Sequence, residues 1–592
     1  MIDPNDVLQS IPRFQTYPGS LTRDPDYAAT CYVAADAPQA VLLEITRSGA
    51  TPPERLKGAL STARIQPSGG EELTLRVFPF ASTDRDNVRA FAETVAPEFL
   101  PRPQGALPAV AAGNRHPEIS LPAAFEAYRR ILEKTGVNWA STVQLSATRE
   151  MTTDETIAAR DGEDPVAIGH TRVSIRRLYH AGLWAAIRAG WRAGYNAEAD
   201  HFIVSGSTAG DIARSVEMVK EAIRHAAGFT KFTTDTSRLF VLEADTRHPN
   251  AWSAGAVGEQ FERIFTPEER RWIMGEFSKP FRMDGATYQL GKEQIERLAV
   301  KFGASLKLNE ELYDFIVATK AGQRSAAFDF EPSIDEAETL TTPEELLFYM
   351  YWLKLRGRPA QLVPPNLGFK KRQAYPETMG TSPAGAMGLE EYCRHKMWPE
   401  LAPRTAKDFG GKPLDELGAR VSALAAVAHY FDGTLSIHSG SGKQPEVLRR
   451  IGQATGGRVN YKISGELQLQ LLDVLFEQPP GSYWRQVYER MVDRTHRFAA
   501  RKAFGAESEL AAHYLALGRG SYLGDPAKGR VDGNLFLVFW VGNLAGTRDA
   551  DSPDGDRRFF TEKLAELPAG LLAEVRRRNT EYIVWLATNL AG

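Results

Sequence analysis

Several short runs of this 592-residue chain end in side chains that can move protons, hold a metal or grip an anion. In chain order these ends carry Asp200 with His201, Asp235, Glu331 with Asp335, Asn366 with Lys370 and Lys371, His438, and Lys462. Two carboxylates on opposite sides of a substrate can exchange a proton as acid and base. Two imidazoles and one carboxylate suit a divalent metal with positions left open for substrate, which His201, His438 and one of the acids would supply. No compact ligand motif such as H-E-x-x-H occurs, so a metal site would depend on the fold bringing distant residues together.

Each residue also has a purely structural reading. Asp200 suits a turn, and His201 suits a satisfied interior position. The acids of FEPSIDEAETLTTPEE suit a solvated face ahead of a helix capped by Thr342 with Pro343 behind it. Lys370, Lys371 and Arg372 read as an exposed charge run, and Lys462 as a side chain reaching from a strand end to water. What favours chemistry is recurrence: acids, imidazoles and amines return at the same end of successive strands.

The stretch LSIHSGSGKQ, Leu435 to Gln444, imitates the end of a phosphate-binding loop. A true one needs a glycine where Ile437 stands, and a Ser or Thr where Gln444 follows Lys443. It reads instead as a strand emptying into a polar pocket, with Ser439, Ser441 and Lys443 suited to hydroxyls and a carboxylate. GRGSYLG near Gly518 has the wrong spacing for a dinucleotide fingerprint.

The elements that would position these residues alternate. TVQLSAT, DHFIVSG, FTKFTTD, AAFDFEPS, AQLVPPN, GTLSIHS and RVNYKIS lean toward strands. Between them lie amphipathic stretches such as RRLYHAGLWAAIRAGWRAG, EQIERLAVKFGASLKL, PEELLFYMYWLKLRGR and LGARVSALAAVAHYF. Alternation implies parallel strands joined by right-handed crossovers, and about seven or eight units close most simply as a (β/α)8 barrel of the TIM type. In that fold the site forms at the C-terminal ends of the strands. Runs such as AVLLEI and LTLRVF make residues 1–115 an N-terminal α/β portion. The barrel is expected over 116–480 and a mainly helical cap over 481–592.

A 43% hydrophobic and 24% charged composition is that of a globular chain, and no run approaches the roughly 18 apolar residues of a membrane span. Two cysteines, Cys31 and Cys393, exclude a disulfide framework or a thiolate zinc site, and the start lacks the pattern of a signal peptide, which together lead us to expect a cytoplasmic protein. A net charge of −3 without a basic stripe argues against nucleic acid.

Taken as a set, NAEADHFIVSGS, AAGFTKFTTDTS, FEPSIDEAETLTTPEELLF, LVPPNLGFKKRQAYPE, LSIHSGSGKQ and RVNYKISGELQLQLLDVL resemble the tagaturonate epimerase family, also described as tagaturonate/fructuronate epimerases. The resemblance covers roughly residues 120–500 in order. It implies a metal-dependent isomerase that inverts one hydroxyl-bearing carbon of a keto sugar acid, interconverting tagaturonate and fructuronate in hexuronate breakdown, with zinc, manganese or nickel as the metal. Asp200 and Glu331 then look like the acid/base pair, and His201 and His438 like metal ligands, with a third ligand position near Lys370. Asp235, Asp335, Asn366, Lys371, Ser439, Ser441, Lys443 and Lys462 would bind the substrate, the only partner expected besides further copies of the chain. The chain departs from the family pattern at Gly442 and Gln444, at Pro332, and at Glu345, where the family has an acid, an aromatic, a strand residue and a histidine respectively. A protonated Lys370 has no lone pair for a metal.

The carbon inverted in such a reaction lies two bonds from the ketone, so its own hydrogen is not acidified by enolisation. Two rival readings share the barrel. One is a sugar-acid isomerase or aldolase with Lys462 as a Schiff-base nucleophile; the other is a carbohydrate-binding protein without catalysis.

Overall fold

A computed structural model describes residues 8, 11–37, 39–67, 71–149, 153, 155–156, 173–283, 285–335, 339–369, 374–379, 389, 411–438, 440, 442–500 and 563–592. Lys370, Lys371, Ser439 and Ser441 lie outside these residues.

The N-terminal portion is an antiparallel sheet of six strands: β1 (Gln15–Thr16), β2 (Thr22–Arg23), β3 (Thr30–Asp36), β4 (Ala40–Arg47), β5 (Ser61–Ile65) and β6 (Leu73–Pro79). AVLLEI and LTLRVF are its central pair, β4 and β6. Side chains alternate between faces with the period of two that a strand imposes. Tyr32, Ala34, Leu42 and Phe78 belong to the core shared with the barrel, and Cys31, Val33, Val41, Leu43 and Ile45 to a second core on the other face. The guanidinium of Arg188, on the helix Ile175–Ala189, clamps Asp36 with bonds of 2.6 and 2.8 Å, fastening this sheet to the barrel.

Eight parallel strands follow: β7 (Ala109–Gly113), β8 (Ala140–Gln144), β9 (Asn196–Ile203), β10 (Lys231–Asp235), then, after a hairpin of β11 (Phe281–Met283) and β12 (Ala286–Tyr288), β13 (Asp329–Ser333), β14 (Leu362–Val363), β15 (Thr434–Ile437) and β16 (Val459–Ile463). Each is laddered to its neighbour in sequence order except β13 and β14, the two ends of the sheet, and β16 returns to β7. The ring closes between β13 and β14, where the amide of Gln361 donates to Phe330 O at 3.0 Å and that of Ile334 to Pro364 O at 3.3 Å. All seven strand-like runs read from the sequence are barrel strands. The eighth, β7, lies ahead of the division drawn at residue 115, because the Pro- and Gly-rich stretch before it delivers the chain straight into the barrel wall.

Helices form the outer layer, and the last of them, Ala569–Leu590, joins that layer rather than standing apart. Its Thr580 hydroxyl donates to Ala123 O of the helix Pro117–Thr135 at 3.0 Å. Between β10 and β13 the chain makes an excursion of about ninety residues, ending in the 29-residue helix Lys292–Lys320.

Candidate active site

In place of the layers of branched apolar side chains usual in such a barrel, the interior is charged. Alternation on β9 puts Glu198 and Asp200 on the inward face, and on β10 it does the same for Lys231, Thr233 and Asp235. β13 contributes Glu331, and β16 contributes Lys462. All are 0–4% exposed.

His201 should point outward by the same alternation, and it does not. Two residues of β9, Asp200 and His201, stand opposite the single residue Thr233 of β10, which is a β-bulge. His201 takes a left-handed φ of 55° there. The hydroxyl of Thr148 donates to His201 O at 2.8 Å and accepts from the amide of Ile203 at 2.9 Å, satisfying the backbone groups the bulge frees. Adjacent residues of one strand thus both face the interior.

Lys462 Nζ lies 2.7 Å from Asp200 Oδ1 and 2.7 Å from Glu331 Oε1, and also pairs with Glu198. Lys231 Nζ lies 3.0 Å from Glu198 Oε2 and 2.7 Å from Glu331 Oε2. His438 Nε2 is 2.6 Å from Glu331 Oε1, and its Nδ1 faces Asp335 at 3.5 Å. His201 Nδ1 faces Asp235 at 3.4 Å, and its Nε2 lies 3.9 Å from Asp200 Oδ2. The two imidazole rings are 4.8 Å apart, nearly perpendicular.

This crowding sets the protonation states. Burial would raise the Asp200 carboxyl, but His201, Lys462 and His438 outweigh it and hold it down to about 2. Glu331 is lowered against its burial by Lys231, Lys462 and His438. Burial would lower His201, yet Asp200 and the bond to Asp235 push it up to about 9. Lys462 is raised, against burial, by Asp200, Glu198 and Glu331. Near neutral pH the two central acids are therefore anionic and the lysine stays an ammonium.

The donor set fits a divalent cation. Asp200, His201 and His438 each present a ligand atom within 4.8 Å of the others, as do Glu198, Asp200 and Glu331. Asp200 Oδ2 is buried without a hydrogen-bond partner. Among the described residues, the carboxylates of Glu198, Asp200, Asp235, Glu331 and Asp335 outnumber the positive charges of Lys231, Lys462 and the His201 imidazolium, whose proton a bound cation would replace. Such an excess of buried negative charge favours added positive charge.

Of the residues singled out by sequence, Asp200, His201, Asp235, Glu331, Asp335, His438 and Lys462 converge. Asn366 is buried and shapes the loop after β14, its backbone amide and carbonyl both paired with Thr341 and its Oδ1 accepting from Gly368 N. Lys443 is buried with its ammonium 5.2 Å from the centre of the Phe369 ring. Glu345, at the family-histidine position, caps its own helix and joins an ion cluster with Lys301 and Arg247. The sequence reading missed Glu198, Lys231 and Thr233. Their signal was present as alternate charged or polar residues in NAEADH and KFTTD, a pattern that makes sense only if that face is neither apolar core nor solvent.

Comparison with a family model takes in Asp200, His201, Asp235, Glu331 and Asp335 but stops short of His438 and Lys462. Residues 168–368 match the family described as tagaturonate epimerase. A curated relative, the tagaturonate/fructuronate epimerase of Thermotoga maritima, is 24% identical over 330 residues, which make up 55% of this chain and 55% of that protein. The match thus spans about half the length of that relative. Native and glycerol-complexed crystal structures of the fructuronate-tagaturonate epimerase from Cohnella laeviribosi superpose with a TM-score of 0.61 at 17% identity, covering 99% of each chain, so the overall fold is alike.

Proposed function

We propose that this chain, which belongs to the tagaturonate epimerase family, is an isomerase that inverts the hydroxyl-bearing carbon two bonds from the ketone of a keto sugar acid, interconverting tagaturonate and fructuronate in hexuronate breakdown. The observation that carries the reading is the bridging of Asp200 and Glu331 by one ammonium group beside two imidazoles at the barrel's strand ends.

A reversible carbon–carbon cleavage inverts that carbon without needing its hydrogen to be acidic, whereas direct deprotonation by one acid and reprotonation by the other would use the same two residues on a hydrogen that enolisation does not activate. One carboxylate, Asp200 or Glu331, takes the proton of the hydroxyl on the carbon to be inverted. The bond from that carbon to its neighbour beside the ketone then breaks, its electron pair forming an enolate and leaving an aldehyde. The aldehyde turns, the enolate carbon attacks its other face, and the new alkoxide takes back the proton that the first carboxyl group has held since the start. Nothing is gained or lost overall, and each positioned acid or base contributes roughly 10²–10⁴-fold. Lys462 keeps both carboxylates anionic and aimed inward. A divalent ion held by His201, His438 and Asp200 would polarise the ketone oxygen.

The test is to strip the protein with a chelator, restore manganese, zinc, nickel or magnesium separately, and follow tagaturonate chromatographically for fructuronate, with His438→Ala alongside. Metal-restored conversion that His438→Ala abolishes supports the reading. Absence of conversion with every metal refutes it.

A further inference from the structure

The helix Lys292–Lys320 stands outside the barrel, yet one stripe of it is both buried and polar. Lys301, Ser305 and Asn309 follow one another at the four-residue spacing that aligns side chains on a single face, and none is more than 2% exposed. An apolar stripe would bury more easily, so what these three touch decides what they are for.

Asn309 Oδ1 accepts from the Thr234 hydroxyl at 2.6 Å, and its Nδ2 donates to Thr236 Oγ1 at 3.0 Å and to the Tyr349 hydroxyl at 2.7 Å. Ser305 Oγ bonds the Thr236 and Tyr349 hydroxyls at 2.6 and 2.7 Å. Thr234 and Thr236 are the residues on either side of Asp235, whose carboxylate faces His201. At the other end of the stripe, Lys301 Nζ donates to Asp245 Oδ2 at 2.7 Å and Glu345 Oε1 at 2.5 Å. Arg247 donates to the same two carboxylates and to Leu340 O, all at 2.7 Å, while the Thr339 hydroxyl donates to Asp245 at 3.2 Å. Leu340 and Thr339 belong to the connection that leaves β13 through Asp335, whose carboxylate faces His438.

One helix face therefore holds the hydroxyls of the residues on both sides of Asp235 and, through Asp245, Glu345 and Arg247, the Thr339 hydroxyl and the Leu340 carbonyl beyond Asp335. We propose that Lys301, Ser305 and Asn309 are positioning residues that fix the Asp235 and Asp335 carboxylates and, through them, the orientation of the His201 and His438 rings. The inference rests on the functional reading only in taking those two rings as the site's working groups. A satisfied buried network specifies one arrangement, and a network missing one member leaves its partners unpaired. Outer carboxylates that orient an imidazole commonly alter metal affinity or activity 10–100-fold when disturbed.

The test compares the full-length protein with Lys301→Met, Asn309→Leu and the milder Tyr349→Phe, using Lys320→Met as a control. Lys320 sits on the same helix but bonds the carbonyls of Ala227 and Phe229. Manganese affinity is measured by competition with a chelator, and crystal structures give the positions of the two carboxylates. Expected is manganese binding weakened about tenfold in the stripe variants with a carboxylate withdrawn from its imidazole, and affinity unchanged in the control. Stripe variants that fold with both carboxylates still against the rings overturn the proposal. Should the wild-type protein bind no manganese or convert no tagaturonate, the functional reading fails, and the carboxylate positions alone still decide this one. Tyr349→Phe keeps the ring and removes one hydroxyl, so its carboxylate positions decide the matter if the other variants do not fold.

Discussion

Lys462 Nζ lies 2.7 Å from Glu331 Oε1, an ion pair that joins the eighth strand of the barrel to the fifth across the interior rather than along the wall. The same ammonium reaches Asp200 on the third strand. Three parts of the ring that share no backbone ladder are tied at one point, and both proposed acid/base groups depend on it.

Replacing Lys462 by Met keeps much of the volume and removes the charge. Glu198 and Glu331 then keep Lys231, while Asp200 loses its ammonium partner and keeps only the neighbouring His201 imidazole among the described ion pairs. Breaking a buried pair in this way costs about 3–5 kcal/mol, so urea unfolding of Lys462→Met is expected to show a loss of that order together with loss of epimerisation. A stable, active Lys462→Met protein would remove both this account of the barrel centre and Lys462 from the site.

Glu331→Gln tests the acid/base role with less structural damage, since the amide retains the shape and can still meet His438. Turnover is expected to fall by about 10²–10⁴-fold with KM little changed, because the group acts in the transition state more than in binding. Steady-state kinetics on both sugar acids checks this. Asp200→Asn should fall similarly, and the double variant should fall by less than the product of the two.

How much of this could be read in the sequence follows from what a strand pattern encodes. Barrel strands announced themselves by β-leaning runs ending in polar residues, so Asp235, Glu331, His438 and Lys462 were placed by order along the chain. β7 escaped because AVAAG has little beyond small residues. The ion pairing was not legible: that Lys231 and Lys462 share Glu198 and Glu331 depends on which strands face one another across the ring. Nor was the bulge, since alternation alone sends His201 outward, and only a hydroxyl some fifty positions away in the chain stabilises the exception.

That hydroxyl gives a third prediction. Thr148→Val removes the donor to His201 O and the acceptor for Ile203 N while keeping the branched shape. Two partly buried backbone groups lose partners beside a residue already in a left-handed conformation, which costs about 1–2 kcal/mol. Urea unfolding should report that loss, turnover should drop as His201 loosens, and Thr148→Ser should restore both. Equal turnover in Thr148→Val and wild type would show that the bulge holds without this hydroxyl.

The last prediction concerns acid. His116, ahead of the helix Pro117–Thr135, has φ of 47°, a buried Nε2 without a hydrogen-bond partner, and a pKa lowered to about 4 by burial and by Arg177. In the unfolded chain its pKa returns to about 6.5. Between those values the unfolded state binds the extra proton, so stability rises with pH across the window from 4 to 6.5 and is lost as pH falls through it. The contribution, complete above pH 6.5, is at most about 3 kcal/mol. Asn tolerates a left-handed backbone better than most residues, so His116→Asn should fold and carry no titrating group there. The difference in urea stability between pH 7 and pH 5 is expected to shrink in His116→Asn relative to wild type. An unchanged difference would mean that acid acts through other groups, and that the His116 ring is solvated well enough to take a proton in the folded protein.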